Sequence, residues 1–300
     1  MSLAHKQKHV RQNYFATAAL IYGAISWGLI WYPYRLLNES GLSGMQSSFL
    51  GYCLALLIGG ILFWRRYARI VQIPASAYWL SLVAGWTNLA YILAVIDGEV
   101  MRVMLLFYLS PLWTLLLARV WLHEPWKRAQ LLAIVLSLFG AHLMLTHGQW
   151  DWPLPQSTSD WLALSAGIGF SIMNVMTRFS THLSIAAKGM LVWFGVFGLS
   201  LGLLVWQHSF SGFAWITHVT LSSYGLLLVI AFMLTSATLL VQYGVTKIPA
   251  IQASVLFMFE LIVAAVAAYF LAHESISAIE MIGGVCIVAA GLLSVYDGKG

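Results

Sequence analysis

Residues 103–124 read VMLLFYLSPLWTLLLARVWLHE, an apolar run that ends in a histidine–glutamate pair. Before that pair, Arg119 is the only charged residue. A bilayer core of roughly 30 Å requires about 20 apolar residues in a helix, which is the length of Val103–Leu122. The stretch therefore predicts a helix that crosses a membrane.

Nine further runs of the same kind surround it. They are Tyr14–Tyr32, Met45–Trp64, Tyr78–Ile96, Ala129–Thr146, Trp161–Thr177, Gly189–Trp206, Ser223–Tyr243, Ile251–Ala272 and Ala278–Tyr296. The chain is 61% apolar and only 8% charged, whereas soluble proteins carry about 25% charged residues. The runs lack the alternating pattern of outer-membrane strands. We predict an all-α integral membrane protein with ten transmembrane helices.

The composition also excludes several classes of function. The basic residues are scattered along the chain, so no nucleic-acid partner is expected. Cys53 and Cys286 each lie inside an apolar run, which leaves no disulfide framework and no cysteine metal site. We predict no cofactor and no metal. The expected partners are a small-molecule substrate and the lipid bilayer, and the expected state is a monomer or a weak dimer.

The distribution of lysine and arginine predicts the orientation. With the N-terminus inside, the inner segments hold twelve of these residues and the outer loops hold Arg35 and Arg102. Cytoplasmic loops are enriched in lysine and arginine. We therefore predict a multi-pass protein of a bacterial inner membrane with both termini in the cytoplasm.

The two halves of the chain correspond weakly at a shift of 150 residues. This shift places His123-Glu124 on His273-Glu274, Leu106-Phe107 on Leu256-Phe257, and Asn88 on Thr238. The Pro-rich stretch at 149–155 separates residues 1–150 from 151–300, and each half contains five predicted helices. Because five is odd, the second half enters the membrane in the opposite sense. Inverted repeats around a central cavity are typical of secondary transporters.

These motifs resemble the EamA-type branch of the drug/metabolite transporter superfamily. In that family, helices 4 and 9 carry a proline or acidic-proline pair about thirteen residues before the histidine–glutamate pair. The first copy is Ser110-Pro111 and the second is Glu260-Leu261. Leucine stands where the second proline is usual, so helix 9 is expected to run unbroken.

Within the superfamily, the aromatic residues of helices 3 and 4 look most like the YddG-type amino-acid exporters. The resemblance implies that polar and aromatic residues of these helices line the central cavity. The positions carried over are Asn88, Tyr91, Tyr108 and Ser110.

Glu260 is the one carboxylate near the centre of a predicted span, with Met258 beside it as a further candidate lining residue. Ionisable groups at membrane depth mark functional sites by default. Glu260 would couple transport to protons or bind a substrate ammonium. The alternative is a structural carboxyl, in which case Glu260→Gln would change transport little, or a buried ion pair with Arg178.

Polar residues on helices 6 and 8 recur at the spacing of one helical face. The stripes are Ser171, Asn174 and Arg178, and Thr235, Thr238 and Gln242. Such faces avoid lipid, so Asn174 and Thr238 are candidate lining residues, although polar side chains also bond between helices for packing alone. Trp27, which lies deeper than the aromatic residues at the membrane interface, is a further candidate.

Gly198-Leu199-Ser200-Leu201-Gly202 matches the GxSxG pattern of serine hydrolases. It lies in the middle of an apolar helix, where we interpret it as a helix-packing face. We predict a secondary transporter of small organic solutes, exporting aromatic or neutral amino acids or related metabolites by alternating access, and not an enzyme. The alternatives are a membrane-embedded enzyme and a transporter of drugs or other metabolites.

Overall fold

The computed structural model describes residues 3–66, 77–98, 100–146, 155–208, 216, 220–271, 273 and 275–297. All its regular structure in these ranges is helical, and ten helices are long and apolar enough to cross a membrane. The predicted all-α class with ten membrane-spanning helices is confirmed. The predicted boundary between the halves, at residues 150 and 151, lies outside the described residues.

Eight helices are continuous, and two are each broken into two segments. In chain order the helices are α1 Leu3–Glu39, α2 Gly44–Phe63, α3 Tyr78–Asp97, α4a Val100–Phe107, α4b Ser110–Trp121, α5 Arg128–Thr146, α6 Thr158–Phe179, α7 Ile185–His208, α8 Leu221–Lys247, α9a Ala250–Phe257, α9b Phe259–Leu271 and α10 Ala278–Asp297.

Polar residues placed just before the apolar runs start some of these helices. Ser43 and Gln46 form a capping box at the start of α2, and Ser157 and Asp160 form one at the start of α6. In each box a side-chain oxygen accepts a backbone N–H that has no partner inside the helix. These local signals place the helix starts within a few residues of the predicted spans.

The break in α4 has a local cause. Pro111 lies in the first turn of α4b, where its missing N–H is tolerated but a continuous helix through it is not. Tyr108 and Leu109 form the turn between the two segments.

The expectation that helix 9 runs unbroken is wrong. Its first segment ends at Phe257 and its second begins at Phe259, although Leu261 replaces the proline. At the break the amide of Met258 bonds to the carbonyl of Val255, and that of Leu261 to the carbonyl of Met258. Helix α1 packs here, since a Cβ at Gly28 would lie 2.8 Å from the Glu260 carbonyl oxygen. The break therefore accompanies a tertiary contact and needs no proline.

The bundle is built from helix pairs that join the two halves of the chain. Helix α1 packs along α8, α3 packs between α6 and α7, α2 packs on α7 and α8, and α5 packs along α10. Helices α5 and α10 approach each other closely, because a Cβ at Gly140 would lie 2.5 Å from the Gly283 carbonyl oxygen and the reverse distance is 2.6 Å.

The interpretation of Gly198 and Gly202 as a packing face is wrong within this chain. Both glycines are exposed, and a Cβ built on either meets no atom within 4 Å. Ser200 points into the bundle instead and is buried.

Gly140 lies in the tight α5–α10 contact and Gly198 lies on an open helix face, so the two glycines form a matched pair for a stability measurement. Gly140→Ala is expected to destabilise the protein by about 1–3 kcal/mol, the usual effect of overpacking a tight contact. Gly198→Ala adds the same methyl group to an open face, where alanine favours the helix by up to about 1 kcal/mol. Thermal unfolding of both variants in detergent checks the difference. Equal melting temperatures would contradict the close approach of α5 and α10.

Candidate functional site

The breaks in α4 and α9 bring Tyr108 and Glu260 together. Tyr108 occupies the turn between α4a and α4b and is buried, and its side chain is hydrogen-bonded to that of Glu260. Tyr91 of α3 lies close enough to interact electrostatically with the same carboxyl. Because α9 is broken, Glu260 lies in the first turn of α9b and not in the middle of a helix. The partial positive charge of a helix N-terminus favours a carboxylate at such a position.

Aromatic rings extend from this pair. Phe107, the last residue of α4a, packs against Tyr91 with ring centroids 5.1 Å apart and against Tyr108 at 5.4 Å. It also meets Phe170 of α6 at 5.5 Å, and Phe170 packs edge-on against Phe257 of α9a at 5.2 Å. No pattern in the sequence identified these three phenylalanines as site residues, although the 150-residue shift aligns Phe107 with Phe257.

The structure also brings Trp27 and Met258 to this cluster. The Trp27 ring lies 5.8 Å from that of Phe257, and Met258 is buried in the same hydrophobic cluster as Tyr108. We call the connected rings of Trp27, Tyr91, Phe107, Tyr108, Phe170 and Phe257 the ring cluster. It draws on helices α1, α3, α4, α6 and α9, so both halves of the chain contribute.

Asn88 lies one turn from Tyr91 and faces α2. Its Nδ2 donates to the Tyr52 hydroxyl at 3.5 Å, while its Oδ1 is buried with no hydrogen-bond partner. Tyr34 belongs to the same region, because the hydroxyls of Ser48 and Tyr34 are 3.4 Å apart. Tyr34 thus packs against α2. No pattern in the sequence singled out Tyr52.

The polar stripes of α6 and α8 face the interior, as predicted. Asn174 and Thr238 are buried. Several buried side-chain atoms here have no hydrogen-bond partner among the described residues; these are Asn174 Nδ2, Thr177 Oγ1, Thr235 Oγ1 and Gln242 Oε1. Buried polar atoms are nearly always paired, so unpaired ones at a suspected site mark places for water or a ligand.

Ser110 has a different environment. Its carbonyl oxygen accepts a 2.8 Å hydrogen bond from the Ser171 hydroxyl, which ties α4b to α6. For Ser171 the structure favours the packing alternative over a lining role. The side chain of Ser110 is buried at the break in α4, beside Tyr108 in sequence.

Glu124 joins the two halves at the end of α4. Its carboxylate accepts the backbone N–H of Ala250, the first residue of α9a, with N–O distances of 3.2 and 3.3 Å. The Nε of Arg178 donates to the same carboxylate at 2.7 Å. The suggested pairing of Arg178 with Glu260 is therefore wrong. Arg178 also reaches the carbonyl oxygen of Thr246 at 3.4 Å.

The backbone conformation of His123 sets the direction of the Glu124 side chain. This histidine is a non-glycine residue with a positive φ of 55°, and the Glu124 N–H bonds back to the Ala118 carbonyl, the arrangement in which helices often end. His273 has a φ of 56° at the corresponding place after α9. Glu274 lies outside the described residues. Within the described residues, no group of histidine, cysteine, aspartate and glutamate could hold a metal ion.

The fold and site define a polytopic membrane protein with a buried polar and aromatic site at two helix breaks. Residues 15–146 match the model of the EamA-like transporter family. The match spans the first five membrane-crossing helices, α1 to α5.

Two curated relatives and one solved structure are also similar. Protein RarD of Salmonella typhi is 31% identical over 85 residues, which span 27% of this chain and only 29% of RarD, and Protein RarD of Salmonella typhimurium matches to the same extent. A protein of known crystal structure shares the fold, with a TM-score of 0.79 and 13% identity over 95% of this chain and 97% of its own.

Proposed function

We propose that the protein is a secondary transporter of small organic solutes that exports aromatic or neutral amino acids, or related metabolites, by alternating access. The observation that carries the proposal is the meeting of two broken helices at Tyr108 and Glu260. Discontinuous helices at the middle of a bundle are typical of transporters, which bind their substrates there. An enzyme would need a nucleophile or acid–base pair in reach of solvent, and nothing in the described site favours one.

The chemistry of the site supports an amino acid as the solute. The Glu260 carboxylate suits an ammonium group, and the faces of Tyr91 and Tyr108 add a cation–π component. The ring cluster offers edges and faces to an apolar or aromatic side chain. The unpaired atoms of Asn88, Asn174 and Thr235 are available for the polar groups of the solute or its water.

We further propose that residues 1–150 and 151–300 are inverted repeats. Three observations support it. Helices α4 and α9 are broken at corresponding places. His123 and His273, which are 150 residues apart, both have the left-handed backbone conformation. Helix α1 packs on α8 and α9b, and its counterpart α6 packs on α3 and α4.

In this arrangement Glu124 holds one end of the bundle closed. Its carboxylate links the end of α4b, from the first half, to α6 and to the start of α9a, from the second half. Alternating access would require this link to open when the solute enters from that end, which we call the Glu124 end.

The charge distribution supports a bacterial inner membrane with the Glu124 end in the cytoplasm, where lysine and arginine predominate. A reporter that is active only in the cytoplasm is expected to be active when fused after Gly300, because the predicted ten spans return the chain to its starting side. The same reporter placed in the 149–155 loop is expected to be silent. Activity in that loop would contradict the orientation. The predicted monomer or weak dimer stays a prediction.

Reconstitution tests the function itself. Proteoliposomes containing the purified protein are expected to exchange labelled phenylalanine for internal phenylalanine, whereas empty liposomes do not. Tyr91→Ala and Tyr108→Ala should each lower this exchange while the variants still insert and fold. Measurement with and without a pH gradient distinguishes proton coupling from facilitated diffusion. Exchange of drugs or other metabolites with no amino-acid exchange would favour the alternative substrate class.

A further inference from the structure

Lys188, in the first turn of α7, is fully buried at the Glu124 end of the bundle. Its Nζ donates to the carbonyl oxygen of Thr177 on α6 and, at 2.8 Å, to the hydroxyl of Thr246 on α8. Lysine is almost never fully buried unless an anion is paired with it. Both of these acceptors are uncharged.

The charges around Lys188 do not supply that anion. Glu124, the carboxylate described at this end, is engaged by Arg178 and by the Ala250 N–H. Lys247 also interacts electrostatically with Lys188, and it carries the same positive charge. Among the groups that the structure describes around Lys188, positive charge therefore exceeds negative charge.

The unpaired polar atoms lead from Lys188 toward the ring cluster. Thr177 Oγ1 and Asn174 Nδ2 are buried, have no hydrogen-bond partner among the described residues, and follow one another along α6. One turn further along α6 is Phe170, a member of the ring cluster. Lys188, Thr177 and Asn174 can all donate hydrogen bonds, so together they favour an acceptor that carries negative charge.

We propose that Lys188 binds the carboxylate of the transported solute at the Glu124 end, before the solute reaches the ring cluster. The inference rests on the proposed function and narrows the substrate class to small organic acids and zwitterions with a free carboxylate. In this proposal the two charged groups of an amino acid bind at two different residues. Lys188 holds the carboxylate on entry, and Glu260 holds the ammonium at the helix breaks.

A purely structural role is the competing explanation. The Thr177 carbonyl lies in the last turn of α6, where the helix dipole favours a cation. A lysine that only joined the ends of α6 and α8 would stabilise the protein without discriminating between solutes.

Thermal unfolding of the full chain in detergent separates the two roles. The probes are 3-phenylpropionate and its neutral amide, 3-phenylpropionamide. The carboxylate is expected to raise the melting temperature of the wild type, and the amide is not. Lys188→Gln should weaken the apparent affinity for the carboxylate at least tenfold, whereas Lys188→Arg and the control Lys247→Gln should retain the response.

Thr177→Val provides a second variant in case Lys188→Gln does not fold. It removes the unpaired hydroxyl and keeps the shape of the side chain, and we expect it to weaken the carboxylate response severalfold. An equal response of wild type to the two probes, or a carboxylate response that both variants leave unchanged, would overturn the proposal. A carboxylate response in a protein that exchanges no solute in liposomes would instead contradict the proposed function and leave the anion site standing.

Discussion

Glu260→Gln is expected to lower the affinity for phenylalanine in reconstituted exchange by about 30-fold or more. Removing one partner of a buried charge pair typically costs about 2–5 kcal/mol, and about 1.4 kcal/mol corresponds to a tenfold change in affinity. The contrary expectation, that glutamine would change transport little, depends partly on an unbroken helix 9 and partly on a resemblance to a family whose members have many substrates. The break at Met258 removes the first of these reasons, because it places the carboxyl at a half-helix start beside Tyr108.

Solutes with and without an ammonium group distinguish the roles of this carboxyl. Glu260→Gln should leave exchange of 3-phenylpropionate unchanged if Glu260 binds the ammonium of phenylalanine. Normal phenylalanine exchange combined with loss of accumulation driven by a pH gradient would instead identify a proton-coupling carboxyl. Glu39→Gln is the matched control, since Glu39 lies exposed in an ion pair with Arg35. Unchanged transport of every solute in Glu260→Gln would show that this carboxyl has only a structural role.

Glu124→Gln is expected to open the Glu124 end of the bundle. Hydrogen bonds to charged groups contribute about 1.5–3 kcal/mol each, so neutralising this carboxylate should increase access to the site from that end about tenfold or more. A cysteine in place of Asn174, in a chain with Cys53 and Cys286 replaced by serine, reports this access. Its labelling by a membrane-impermeant thiol reagent added on the Glu124 side should become correspondingly faster.

Glu280→Gln is the control for the Glu124 variant. Glu280 accepts the N–H of Ser277 at 2.6 Å and so caps the start of its own helix, α10, at the other end of helix α9. This variant changes the same chemical group without touching the link between the halves. Unchanged labelling in Glu124→Gln would show that the carboxylate does not keep this end closed.

The sequence predicted which residues form helices and which faces turn inward. Apolar length identified all ten spans, and the spacing of Asn174 and Thr238 predicted their burial. Both predictions depend on properties local to one helix, namely its length against the bilayer and its period. The break in α4 also has a local cause, because the proline at position 111 lacks the N–H that a continuous helix would need there.

The sequence could not reveal the partners across the bundle. Arg178 stands on the same helical face as Asn174, but its pairing with Glu124 depends on how α4b and α6 pack. The sequence also did not reveal that the histidine–glutamate pair at 123–124 links the end of α4b to the start of α9a. This link requires the left-handed turn at His123 and the start of a helix some 126 residues further along the chain.

The amino-acid sequence by itself therefore determined a ten-helix membrane protein with a polar interior and a resemblance to EamA-type transporters. Only the tertiary structure decided that α9 breaks at Met258, that Glu260 meets Tyr108, and that Lys188 is buried with no carboxylate partner among the described residues. The physical reason is that hydropathy and helical period act within one segment. A helix break without proline and the pairing of charges depend instead on close contacts between segments far apart in the chain.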